Sequence, residues 1–118
     1  MFLVKRNDRF RRVFSRLASF IFTRMSFLIP TERLRETDTL LAFHHPKPSY
    51  PFHVVLVPRQ AVSNLMALDP ANTKFLSELF EAVQSIVTEF QLPAYRLIAN
   101  GGEYQDFPYL HFHLISGE

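Results

Sequence analysis

Eight apolar side chains, Phe75, Leu76, Leu79, Phe80, Val83, Ile86, Val87 and Phe90, recur at the spacing of one helix face. Asp69 and Pro70 precede them, and Asn72 or Thr73 is placed to cap the first turn. A stripe this long predicts an amphipathic helix with one side to bury. Core packing explains it better than a surface groove. What remains must therefore supply a broad apolar surface.

That surface is predicted to be a sheet. "FHVVLVP", residues 52–58, is apolar without alternation, which marks a central strand covered on both faces. "RLRETDTLLAFHH" reads as two short strands around a turn at Glu36–Thr39, where Thr and Asp favour turning. "HPKPSYP" holds three prolines and reads as an extended loop without ladder donors. A strand is expected over residues 95–100 and another over 109–116, with "NGGEYQDFP" as a loop before the last. Pro30 should end an N-terminal helix. The expectation is an α+β fold: a mostly antiparallel five-stranded sheet, one long helix and an N-terminal helix.

The net charge of +2 hides an asymmetry. Residues 1–24 hold seven basic side chains against Asp8, while the rest holds six basic against ten acidic. Phe10, Val13, Phe14, Leu17 and Phe20 or Ile21 give the first stretch a helical apolar spacing. We expect residues 1–19 to form a basic amphipathic arm and residues 20–118 the domain. The arm reads as a helix packed partly on the domain, as a contact with a membrane surface or nucleic acid, or as a targeting or mis-started segment. No apolar run approaches the roughly 20 residues of a membrane span. The chain has no cysteine, which removes thiolate metal sites and cysteine nucleophiles and fits a reducing compartment. A cytoplasmic location is expected.

"YLHFHLIS" carries the chemistry. Alternation along a strand puts Tyr109, His111, His113 and Ile115 on one face and Leu110, Phe112, Leu114 and Ser116 on the other. Two imidazoles on one face suit metal ligation, or work on a phosphate with one ring attacking and one donating. Two ordinary surface or interface histidines would give the same spelling. His53 opens the central strand, and the backbone of the glycine-bearing loop is a candidate anion cradle. His53, His111 and His113 together are an alternative three-histidine metal site.

In order and spacing, "IP" at Ile29–Pro30, "LAF" at Leu41–Phe43, the strand histidine His53, Pro58 with a basic residue after it, Asn100 with its glycine loop, Gln105 and "YLHFHLI" resemble the histidine triad (HIT) superfamily of nucleotide hydrolases and transferases. The resemblance covers about residues 20–118. It implies a nucleotide phosphoesterase, phosphoramidase or nucleotidyl transferase that attacks an α-phosphate through a histidine, with no metal or cofactor, commonly as a homodimer. By resemblance His111 is the nucleophile, and His113 contacts a phosphate oxygen and assists the leaving group. His53 lies near the nucleotide, Asn100 and Gln105 line the phosphates, and Phe43 walls the base pocket. Three positions depart from the pattern. Tyr109 stands in the place of the first triad histidine. His45 replaces an acid that meets ribose hydroxyls. Asp106 replaces a small hydroxyl residue near the leaving group. These departures feed the alternative, a degenerate module that binds a nucleotide or a partner without turnover.

Overall fold

The computed structural model describes residues 32–118. Five strands form one antiparallel sheet: β1 (Arg33–Glu36), β2 (Leu40–His44), β3 (Phe52–Pro58), β4 (Arg96–Ala99) and β5 (Phe112–Ser116). Their spatial order is β1-β2-β3-β5-β4, so β3 is the central strand its apolar run predicts. The long helix α1 (Thr73–Glu89) follows β3. The α+β expectation holds. The N-terminal helix, the residue 19/20 boundary and Ile29–Pro30 lie outside the described residues. Among the described residues, no helix is long and apolar enough to cross a membrane.

Side-chain chemistry places each break. Thr37 Oγ1 accepts the Thr39 N–H at 3.2 Å and turns the chain between β1 and β2. The His45 N–H donates to His53 O at 2.8 Å, which closes the proline loop between β2 and β3. Asn72 caps α1, its side chain accepting from Phe75 N at 3.3 Å. Gly117 has φ +86, and an added Cβ would meet Pro51 Cγ at 2.9 Å, so both its backbone and its surroundings demand glycine.

The helix covers one face of the sheet. Phe75, Leu79, Ala82, Val83 and Ile86 pack with Leu40, Ala42, Val54, Leu56, Leu110, Phe112 and Leu114. Phe80, expected in this stripe, is 54% exposed. At about 3.6 residues per turn it sits roughly a quarter-turn round from Leu79, on the shoulder of the face. Phe90 caps the helix end and is also partly exposed. The hairpin is fastened to α1 by Arg35, which donates to Ser85 Oγ at 2.9 Å and Glu89 Oε1 at 2.7 Å, and by Thr39, which donates to Glu78 at 2.6 Å.

The opposite face carries a separate cluster of Leu41, Phe43, Val55 and Val57. The last strand begins at Phe112, not Tyr109. Leu110 N–H leaves the ladder to donate to Val62 O at 2.8 Å. The predicted division of faces still holds, because Leu110, Phe112 and Leu114 all lie in the helix-side core.

Candidate active site

Strand register lays out the site. Phe43 pairs with Val55, and Val55 with His113. His53 pairs with Ile115 one row further along the same face. Ala99 pairs with Phe112, so Asn100 and His111 are the next residues out at that end of the β4–β5 pair. The result is a diagonal of four imidazoles. Ring centroids are 4.8 Å apart for His111 and His113, 5.0 Å for His113 and His53, and 4.4 Å for His53 and His45.

Hydrogen bonds at three of these rings fix their tautomers, and that of His113 follows from its neighbour. The Ser49 N–H donates to His53 Nδ1 at 3.1 Å, so the proton of neutral His53 is on Nε2. That Nε2 lies 2.8 Å from His113 Nδ1 and donates to it. The His113 proton is therefore on Nε2. The Lys47 N–H donates to His45 Nδ1 at 2.9 Å, which leaves the His45 proton on Nε2 as well. His111 runs the other way: its Nδ1–H donates to Tyr109 O at 2.9 Å. A neutral His111 thus presents a bare lone pair at Nε2.

Electrostatics reinforce the neutral forms. Burial, then the neighbouring His111, His53 and His45, push His113 down to about 4, against a weaker opposing pull from Asp106. Burial, then His45, lowers His53 too. Burial raises the Tyr109 phenol to about 12, so it stays protonated.

The expected site residues fall into place unevenly. His53 is 6% exposed, the one polar residue among the fully buried of the described residues. Phe43 is buried in the apolar cluster beside this row. Asn100 is half-buried one residue past β4. Gln105 Nε2 donates to Ser63 O at 2.8 Å and Phe107 O at 2.9 Å, so its amide hydrogens tie two loops together. In the glycine loop, the N–H groups of Tyr104 and Gln105 bond back to Gly101 O and Gly102 O, so these two donors are used inside the turn. Asp106 is 88% exposed at its side chain, with Oδ1 3.9 Å from His111 Nε2. That distance is too long for a hydrogen bond. Tyr109 is buried just before β5, and its carbonyl is what orients His111.

The alternative three-histidine metal site is not assembled. His53 Nε2 and His113 Nδ1 bond each other instead of converging on an ion, and no group of His, Asp or Glu among the described residues is arranged to hold one. A cleft of about 270 Å³ opens elsewhere, between Thr39, Arg59, Asn72 and Phe75. Its charged members, Asp38 and Arg59, are already paired with Lys74 and Glu36.

Sequence reasoning missed the backbone donors of Lys47 and Ser49. For Lys47 the signal was present in "HHPK": a polar side chain followed two residues later by an N–H is a common side-chain turn. The Ser49 N–H reaches forward to a ring four residues on and follows no such pattern.

Residues 26–118 match the HIT domain family. An uncharacterized HIT-like protein of Azospirillum brasilense is 32% identical over 94 residues, covering 75% of this chain and 77% of that one. One from Synechococcus elongatus is 32% identical over 92 residues, covering 75% and 81%. Among solved structures, a HIT family hydrolase from Clostridium thermocellum superposes with a TM-score of 0.73 at 24% identity, covering 83% of this chain and 90% of that one. A HIT-like protein of Bartonella henselae involved in cell-cycle regulation gives 0.65 at 26% identity, covering 80% and 76%. The chain belongs to the HIT domain family.

Proposed function

We propose that this chain is a nucleotide hydrolase or nucleotidyl transferase that works at the α-phosphate, with His111 as nucleophile. One observation carries the reading. The Tyr109 carbonyl accepts the hydrogen bond of His111 Nδ1–H, and a neighbouring imidazole on the same face, His113, keeps a proton on Nε2. A lone pair beside a donor is what attack on a phosphoryl group needs.

In the first step His111 Nε2 bonds to phosphorus. The bond to the leaving group breaks, and that group keeps the electron pair and takes a proton from solvent. The imidazole is now cationic, and its Nδ1–H to the Tyr109 carbonyl becomes a charge-assisted bond, roughly twice as strong as the neutral one. In the second step water attacks phosphorus and loses a proton to solvent, the P–N bond breaks, and the pair returns to Nε2. His113, held neutral with its pKa near 4, serves as a hydrogen-bond donor to phosphoryl oxygens and not as a strong acid. His53 holds His113 in that tautomer. Phe43 would flank the base, and Asn100 the phosphates. A cytoplasmic homodimer is the form in which we place this activity.

Purified protein should turn over adenosine 5′-phosphoramidate or a dinucleoside polyphosphate. His111→Asn should lower that rate by several orders of magnitude. Equal rates in the two proteins would remove His111 from the mechanism. A wild type as inert as the variant, yet still binding nucleotide, would leave a binding module.

A further inference from the structure

The inner part of the imidazole diagonal offers its ligand donors only. His53 has no nitrogen to spare: Nδ1 accepts from Ser49 and Nε2 donates to His113. His113 keeps its Nε2–H. His45 keeps its Nε2–H, because Lys47 N–H occupies the other nitrogen. The His45 and His113 rings lie 6.2 Å apart and within 21° of parallel. Two Nε2–H donors thus sit on nearly parallel rings, and no nitrogen of His53 between them is left to accept.

We propose that His45 marks a second acceptor subsite, which takes an anionic group on the sugar of a nucleotide whose reacting phosphorus sits at His111 and His113. The chemical class is a nucleoside 3′,5′-bisphosphate or its 5′-substituted derivatives. This rests on the proposed placement of that phosphorus. A sugar cis-diol is a weaker match: its oxygens can accept from these N–H groups, but its O–H hydrogens meet no imidazole acceptor here. An ionised oxygen suits an N–H donor better, giving a shorter and stronger bond. Lys47, two residues beyond His45, is exposed and has no ion-pair partner among the described residues, so it adds positive charge at the same edge. His45 is half-buried and outside the helix-side core, so substituting it leaves the domain's packing in place.

Titration calorimetry with adenosine 5′-monophosphate and adenosine 3′,5′-bisphosphate tests this on the full chain, with His45→Ala and His45→Asp alongside. The wild type should bind the bisphosphate at least about tenfold more tightly. His45→Ala should bring the two affinities together, and His45→Asp should reverse their order. Equal affinities in the wild type, or a bisphosphate preference that survives in His45→Ala, would overturn the inference. Monophosphate binding with His111-dependent turnover and no preference sinks this inference alone. Binding of neither ligand sinks the proposed function with it.

Discussion

His111, just before the closing strand, and His113, within it, share a face, yet their backbone and ring partners make opposite use of them. A carbonyl accepting at Nδ1–H leaves His111 a lone pair at Nε2, and a hydrogen bond from His53 to Nδ1 leaves His113 its proton at Nε2. Because the 109 carbonyl sets the tautomer, the side chain there is free to differ. Tyr109→Phe should therefore leave turnover within a few-fold, while Tyr109→Ala, which empties a buried aromatic site, should cost about 3 kcal/mol of stability in a denaturant titration. The depressed His113 also makes stability depend on pH. Its folded pKa is near 4 against an ordinary 6.5, so between those values the unfolded chain binds more protons. Stability is complete above pH 6.5 and declines as pH falls toward 4, with His53 adding in the same direction. Thermal melts across that window should show the decline, and His113→Asn should flatten it. A slope unchanged in the variant would move the effect to other groups. At this scale the sequence showed the participants: His53, His111 and His113 were all legible from alternation and order. Their tautomers were not, because those are set by the backbone N–H of residue 49 and the backbone carbonyl of residue 109, groups that carry almost no side-chain signature.

At the scale of elements, legibility tracked periodicity. The apolar stripe predicted α1, with Asn72 one of two caps the sequence offered, and the unbroken run of 52–58 predicted a central strand, because burial leaves a spacing in the sequence. The start of the last strand was misread where apolar–polar alternation continued past the ladder. Tyr109–His111 alternate like strand, but Leu110 bonds to Val62 instead. That departure lets the 109 carbonyl turn toward His111. The tie between hairpin and helix, Arg35 to Ser85 and Glu89, joins residues about fifty positions apart and leaves no local pattern. The cap allows a direct test. Asn72→Ala removes the acceptor for Phe75 N–H and should cost about 1 kcal/mol, read as a melting temperature lower by roughly 4–8 °C for a domain of this size. Asn72→Asp should retain most of the lost stability. If alanine and aspartate melt alike, the cap contributes nothing to the fold.

For the whole chain, charge and family boundary divide the sequence in the same region. The HIT domain match starts at residue 26, and seven of the thirteen basic residues precede residue 25. The rest of the chain is net acidic, so attraction to an anionic surface has to come from the first segment. We propose that residues 1–19 are an arm that binds such surfaces while the remainder carries the site. Electrostatic binding of this kind weakens as the screening length shortens, from about 10 Å at 0.1 M salt to 3 Å at 1 M, and the apolar side chains interleaved with the basic ones add a component that salt does not remove. The full chain should therefore sediment with vesicles rich in anionic lipid at low salt, bind them less as salt rises, and ignore neutral vesicles. A chain starting at residue 20 should fail to sediment with either and keep its turnover of nucleotide substrate. Duplex DNA used in place of vesicles separates the two partner chemistries. Binding to DNA with a steep salt slope and none to vesicles would assign the arm to nucleic acid. Equal binding by the full and shortened chains would remove the arm from partner recognition altogether.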